Sequence, residues 1–556
     1  MVDLVLCSAS RLWTGEYSNV KSLGDGIVAN LWSLILSRSI YVHNVGVFVA
    51  SVLLGFFLLG LANSFIGHMT PDISICLLYT RTFLETWNRF RYSYDSKGIA
   101  LIWMLLPFVR LFGPNMIAAA MAQMVAYGIG LLLVHRILRG ILGGLDSLIV
   151  VLAGGCLLFS HFLWGGNVRA DDFGFAFAAI TVYGMWRGTQ AWRFMAGFAA
   201  GLACFTKFTL VATPLAILCV AVLQVLESVR ISSNGALWSR YLRETVRCAF
   251  PYAIGFLAVA VVVIGWVAAH DDIWNMYAQT VVWPAQHRFS GLEVGRAFSL
   301  LIRTRLIFLC IAAIAGFVVG WKKGFRRVVG FSATVLFVEF LRLSAENATF
   351  PYLLTISLVP MLVGASLLGG VSRNRISRGI GWIVPVVCLM PILPGTLLAE
   401  LRAFEIRTVL AIPSPYEYLA EIMRPVYRLG ETVFVDSNEF ELVLLLNAPR
   451  GAIVLPHDFG RVSDSVQSVT KTYYASHPPD WIILRGTSEF GGYRILGDVD
   501  FAFHGFVAVS PALSLWRGSL PYVTQVGRAL SPQVDTPKVY KKEFDTGYAQ
   551  VWHLID

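Results

Sequence analysis

Charge is scarce in this chain. Asp, Glu, Lys and Arg make up 14% of its 556 residues, whereas soluble domains carry roughly a quarter. With 56% hydrophobic residues and a mean hydropathy of +0.66, the composition excludes an ordinary soluble domain and indicates an integral membrane protein. Cysteine offers no framework. There are eight, most of them inside apolar runs (Cys156, Cys204, Cys219, Cys310, Cys388), and none follows Cys388. The absence of any C-x-x-C speaks against both a disulfide scaffold and a zinc site. Internal repeats and low-complexity tracts are also lacking. Residues 1–43 lack the short apolar core and cleavage site of a signal peptide. They read as a cytoplasmic leader with an interfacial helix around Leu31 to Ile40. A net charge of +10 would suggest nucleic acid in a soluble protein. In a membrane protein basic residues instead mark cytoplasmic loops, so no nucleic-acid partner is expected.

Apolar runs dominate what is there. Eleven approach the roughly 20 residues needed to cross a bilayer: 44–66, 114–135, 145–164, 173–187, 194–206, 208–226, 249–269, 298–320, 328–343, 352–370 and 379–399. The fourth, fifth and ninth are short. Basic residues fall in alternate loops: Arg136 and Arg139; Arg187 and Arg193; Arg240, Arg243 and Arg247; Lys322, Lys323, Arg326 and Arg327; Arg373, Arg375 and Arg378. Placing those loops inside puts the N-terminus in the cytoplasm and everything after Glu400 outside, as expected for a multi-pass protein of the inner (plasma) membrane.

The first outer loop, 67–98, breaks the pattern with Arg81, Arg89, Arg91 and Lys97. Within it Cys76, Tyr79, Phe83, Trp87 and Phe90 recur at helical spacing, which predicts a helix lying in the membrane interface. The run 99–112 reads as a second surface or partly inserted helix. After residue 400 the spans stop. "ETVFVDS" (431–437), "GAIVLPH" (451–457) and "DWIILRG" (480–486) read as buried strands, with helical stretches around 438–447 and 464–476 and a terminal hairpin. Alternating strands and helices imply parallel pairing in a small α/β unit. The expected fold class is therefore a polytopic α-helical membrane protein with about 11 spans. Its organisation is a leader (1–43), a membrane domain (44–399) and an extracytoplasmic α/β domain (400–556).

Ionisable residues gather at one depth on the outer side. Asp72 follows the first span. Arg169, Asp171 and Asp172 follow the third, and Lys207 lies between two short spans. His270, Asp271 and Asp272 follow the seventh, Arg303 and Arg305 sit in the outer third of the eighth, and Arg342 with Glu346 ends the ninth. Charges at a membrane edge are functional candidates. The competing explanation is that they anchor loops by pairing or snorkelling. A cationic cradle there suits a lipid phosphate, which arginine grips bidentately and lysine as a point charge. A nearby carboxylate can act as general base on a hydroxyl.

The order of these features resembles the GT-C membrane glycosyltransferases, which include protein O-mannosyltransferases and the transferase that adds aminoarabinose to lipid A. The likeness rests on "TPD" with Asp72, "YSYDSKGIALIWMLLPFVRLFG" (92–113), "RADD" before an apolar run, and the pair "GFAAGLACFTKFT" (197–209) and "FPYLLTISLVPML" (350–362). It covers roughly 44–370. By this resemblance, Asp72 is the base that deprotonates the acceptor hydroxyl. Asp171 and Asp172, with Arg169, shape the acceptor site or hold a divalent metal ion. Lys207 with Arg303, Arg305 or Arg342 grips the lipid phosphate, and Tyr94, Asp95 and Lys97 support the first loop. The implied partners are a polyprenyl-phosphate-linked sugar and a glycan, lipid or protein acceptor, with inversion at the anomeric carbon. Many relatives carry an acidic pair after the first span. Here Asp72 stands alone between Pro71 and Ile73, and Gly98-Ile99 follows Lys97 where relatives often have Gly-Pro. The lone Asp72 weakens a metal site there and leaves metal dependence open, and the Gly98-Ile99 difference is a smaller departure.

Plainer explanations compete at each point. One aspartate of "RADD" is accounted for as a helix cap favoured by the dipole, which leaves the other for a site role. His457 and Asp458 follow a predicted strand without a Gly-rich phosphate loop, and so read as loop residues. Trp274, Tyr277 and Trp283 suit sugar stacking or an interfacial belt equally. A polymerase or ligase of lipid-linked glycans would use similar substrates but usually carries its large outer loop between spans. A transporter would place polar residues at the bilayer midplane on broken helices of two related halves, and neither feature is visible.

Overall fold

The computed structural model describes residues 39–485 and 539–555, apart from 68, 70, 89, 91–96, 161–168, 233–236, 283, 286–290, 292, 347–350, 371–380, 410–413, 436–440, 450–479 and 546–548. The leader up to residue 38, Tyr94 and Asp95, and the expected strand at 451–457 and helix at 464–476 lie outside the described residues.

Every expected apolar run coincides with a helix. The first is α1 (Ser39–Ile66), followed by α2 (Pro71–Thr86), α3 (Ile99–Phe112), α4 (Met116–Arg139) and α5 (Gly144–Leu158). Next come α6 (Ala170–Arg187), α7 (Gln190–Thr206), α8 (Ala212–Ser232) and α9 (Leu237–His270). The remainder of the helical body is α10 (Val294–Arg303), α11 (Ile307–Lys322), α12 (Arg326–Ala345), α13 (Leu358–Gly370), α14 (Ile383–Leu389) and α15 (Leu393–Phe404). By length and composition five helical stretches can cross a membrane: Val45–Ile66, Met116–Arg139, Phe208–Glu227, Leu242–His270 and Arg326–Ala345. Two bent pairs raise this to seven, α10 with α11 at 111° and α14 continued by Leu393–Thr408 at 61°. Among the described residues, then, five stretches pass by length and composition, or seven with the bent pairs, and Ile99–Phe112, Gly144–Leu158 and Leu358–Gly370 are shorter apolar helices. Several apolar helices are short, and Thr304–Leu306 breaks the run expected to be continuous at 298–320, with Arg305 at φ +57°.

The helix after the first span departs from its expected setting. From Ile73 to Phe83 nearly every α2 side chain is buried, Arg81 included. One side packs with α4 to α6, the other with Ile99, Ile102 and Val263. An interfacial helix would leave one face to water. This one is walled in, because Leu77 and Leu78 fill the side expected to carry the arginines.

Helices meet closely where glycines permit it. A Cβ on Gly197 of α7 would overlap the Tyr252 carbonyl oxygen of α9, and one on Gly316 of α11 the Gly364 carbonyl oxygen of α13. Gly316→Ala is therefore expected to lower the thermal midpoint in detergent, by the equivalent of roughly 1–3 kcal/mol. Gly265→Ala, where no atom lies within 4 Å, should leave it unchanged or raise it slightly.

Beyond α15 lie α16 (Pro415–Met423), α17 (Glu441–Leu445) and a four-stranded sheet ordered β1-β2-β4-β3. β1 (Val433–Val435) and β2 (Trp481–Arg485) pair parallel, as the strand–helix–strand pattern implies. β4 (Ala549–Ile555) joins β2 and β3 (Val539–Asp545) antiparallel.

Candidate functional site

The "RADD" stretch divides its charges among separate tasks. Asp172 sits in the first turn of α6 and reaches back to accept the Arg169 backbone N–H at 2.8 Å. It also accepts from Tyr127 Oη at 2.5 Å and Gln123 Nε2 at 3.1 Å, both on α4. This fully buried carboxylate is a cap and a helix-to-helix tie.

Asp171 faces the other way, into a buried ionic cluster. Its carboxylate meets Arg342 Nη1 at 3.1 Å and Lys207 Nζ at 3.4 Å. Lys207 reaches Glu346 at 3.3 Å, and Arg342 reaches Glu339 at 2.7 Å and Glu346 at 3.5 Å. Arg342 also donates to the Leu353 carbonyl at 3.1 Å, and Thr213 donates to Glu339 at 2.5 Å. Fixed charges at this burial are stable only when paired and hydrogen-bonded as they are here. Lys207 and Arg342, expected to grip a lipid phosphate, are 8% and 6% exposed and already engaged by carboxylates.

Arg169 points to a third place. Its Nε donates to Asp72 Oδ2 at 2.9 Å, and its guanidinium lies 3.9 Å from the centre of the Tyr352 ring. Lys97 Nζ stands 3.6 Å from Asp72 Oδ1. Asp72 follows Pro71 at the start of α2, where an unpaired turn of N–H groups favours a negative charge. Of the Asp72 side chain 35% is exposed, so the carboxylate can be reached from outside the protein. Burial alone would raise its pKa. The charges and hydrogen bonds of Arg169 and Lys97 outweigh burial and hold it at about 2.

Lys97 and Lys207 flank one backbone contact. Gly98 N–H donates to the Thr206 carbonyl at 2.9 Å, and a Cβ on Gly98 would overlap the Phe205 carbonyl oxygen. The glycine after Lys97 is thus required by the seam between the start of α3 and the end of α7.

The other expected residues fall outside this grouping. Arg303 and Arg305 are exposed at the 111° elbow, where Arg305 donates to the Pro391 carbonyl at 2.9 Å. They are not among the cations paired with the buried carboxylates, because the break in the helix turns them away. Asp271 accepts the Phe90 N–H at 2.7 Å and Asp272 caps the turn at Trp274 and Asn275, so these two fasten loops.

The donor set does not fit a divalent ion. Asp171 and Asp172, expected as a pair, point to different partners, and Asp72 is flanked by cations. Among the described residues no group of three or more His, Cys, Asp or Glu is placed to hold a metal. Glu339, Tyr352, Tyr127, Gln123 and Thr213 were not foreseen. Glu339 had a signal, a lone carboxylate in an apolar run three residues before Arg342. The others had none.

Residues 96–266 match the sequence model of the dolichyl-phosphate-mannose-protein mannosyltransferase family. Among solved structures the chain is similar to ArnT from Cupriavidus metallidurans bound to undecaprenyl phosphate. That match has 14% identity and a TM-score of 0.55 over 91% of this chain and 97% of that one. The apo state of ArnT matches at 15% identity and a TM-score of 0.52, with the same coverage. Archaeal oligosaccharyltransferase AglB from Archaeoglobus fulgidus, in complex with an inhibitory peptide and a dolichol-phosphate, matches at 13% identity and a TM-score of 0.45, over 84% of this chain and 72% of that one. No curated protein matches by sequence. The likeness to ArnT is one of fold.

Proposed function

We propose that this chain is a membrane glycosyltransferase that moves a sugar from a polyprenyl phosphate to a hydroxyl of an envelope glycan, lipid or protein. Asp72 is the general base, and Lys97 and Arg169 hold the phosphate. One observation carries the reading: the reachable carboxylate of Asp72 pairs with two cations, Arg169 at 2.9 Å and Lys97 at 3.6 Å. An arginine and a lysine beside a reachable carboxylate suit an anionic ligand, the arginine as a fork and the lysine as a point charge. The family match over residues 96–266 and the ArnT-like fold support it. The site acts at the extracytoplasmic face of the inner membrane, with the N-terminus inside.

The transfer balances without a metal. The acceptor oxygen attacks the anomeric carbon as its proton passes to Asp72. The bond from that carbon to the phosphate oxygen breaks with inversion, and the polyprenyl phosphate leaves with its charge stabilised by Lys97 and Arg169. No protonated carboxylic acid is needed on the leaving side. The cations that hold the donor are those that pair with Asp72, so a bound phosphate competes for them and restores basicity to the carboxylate.

Lys97→Gln tests the assignment. Undecaprenyl phosphate binding to the purified protein is expected to weaken about 10–100-fold, the effect of losing one charge-assisted contact. Unchanged affinity would remove Lys97 from the donor site.

Acidity gives an independent check. The Asp72 pKa lies below its ordinary carboxylate value, so the paired state is complete above about pH 4 and is lost as pH falls through about 2. Wild-type kcat/KM, which reports the donor-free protein, should therefore show no acid limb from Asp72 between pH 5 and 8. In Arg169→Gln the largest opposing cation is gone while burial remains. The carboxyl pKa rises, and an acid limb should enter that range.

A further inference from the structure

The end of α1 and the far end of α2, which carries Asp72, are each held by residues from Glu400 onward. On the near side of α2, α1 ends at Ile66, whose last-turn carbonyl has no helical partner of its own. Arg407 Nε donates to that carbonyl at 2.7 Å, and its two terminal nitrogens grip Glu417 at 2.9 and 3.1 Å. One turn earlier, buried Asn63 donates to the Glu400 side chain at 2.6 Å and to its carbonyl at 2.8 Å. At the far end of α2, buried Arg81 donates to the Ala448 carbonyl at 2.5 Å. That carbonyl is presented by the end of α17, where Asn447 takes φ +50° and Ala448 N–H returns to the Val443 carbonyl.

We infer that Arg81 and Arg407 are positioning residues that fix the α1–α2 elbow, and with it Asp72, against residues 400–448. Neither belongs to the ion pairs that Asp72 makes. Arg81 lies nine residues along α2 from Asp72, and Arg407 acts on the carbonyl six residues before it. A helix is stiff over that length, so a shift at Arg81 is delivered to the carboxylate. The C-terminal portion thereby sets the distance between the base and Arg169. This inference deepens the reading of Asp72 as general base and rests on it for its catalytic consequence, though not for the clamp itself.

The test uses the full chain in nanodiscs as wild type, Arg81→Gln, Arg81→Lys, Arg407→Gln and, as a control on the exposed surface, Arg247→Gln. Hydrogen-exchange mass spectrometry reads the peptides covering 63–86. Arg81→Gln and Arg407→Gln should each speed exchange about tenfold or more across residues 67–76. Arg81→Lys, which keeps a donor for Ala448, should restore most of the protection, and Arg247→Gln should change nothing there. Acceleration confined to the turn containing residue 81, or to the loop beside 407, overturns the inference. In the transfer assay, Arg81→Gln should lower kcat with KM for the lipid donor unchanged. Wild-type kcat alongside accelerated exchange overturns it too. Asp72→Asn serves as the separate check: full transfer in that variant sinks the general-base reading, whereas the exchange result still decides the clamp.

Discussion

Asp72→Asn is expected to abolish sugar transfer and at the same time to tighten donor binding. The substitution keeps shape and hydrogen-bonding capacity but removes the negative charge that pairs with both Lys97 and Arg169. Loss of a positioned base lowers transfer by roughly 10²–10⁴-fold. Lys97 and Arg169 then lose the carboxylate that competes with a phosphate for them, so undecaprenyl phosphate should bind several-fold more tightly. Opposite movements of rate and affinity set a catalytic carboxylate apart from a structural one, whose loss would weaken both. Glycan analysis of expressing cells, with protein level checked by blot, gives the rate half of the answer. Binding to purified protein gives the other. Intact glycan in Asp72→Asn would end the catalytic assignment.

Arg342→Met is expected to fail at folding rather than at chemistry. Arg342 is the shared partner of Asp171, Glu339 and Glu346. Without it Asp171, Glu339 and Glu346 lose the cation they share, and breaking such a cluster from one side costs about 3–5 kcal/mol. Yield of monodisperse protein after detergent extraction, and its thermal midpoint, should both fall sharply. Arg342→Lys should recover only part, because a point charge cannot span the carboxylates and the Leu353 carbonyl together. A well-folded Arg342→Met that had lost only donor binding would return Arg342 to the phosphate site.

Much of the fold is legible in the sequence because apolar runs must become helices when backbone groups cannot pair with lipid. The runs at 114–135 and 328–343 are found as Met116–Arg139 and Arg326–Ala345. Hydropathy cannot register the 111° turn at Thr304–Leu306, since bending does not change composition. That is why Arg303 and Arg305 were expected in a cluster they do not join. The charges of the site were legible as a set, because so few charged residues exist. Their pairing was not. Arg169, Asp171 and Asp172 are close neighbours in the chain, yet backbone direction at the start of α6 sends each to a different partner. Lys207 and Arg342 look like free cations until folding supplies Glu339 from a neighbouring turn and Glu346 from the helix end.

The Gly98 contact also limits how the site can widen. With the Gly98 N–H on the Thr206 carbonyl and no room for even a methyl group between the strands of backbone, α3 and α7 behave there as one welded edge. Lys97 and Lys207 therefore travel together, and prising this edge apart would break the hydrogen bond and drag on the buried ionic cluster.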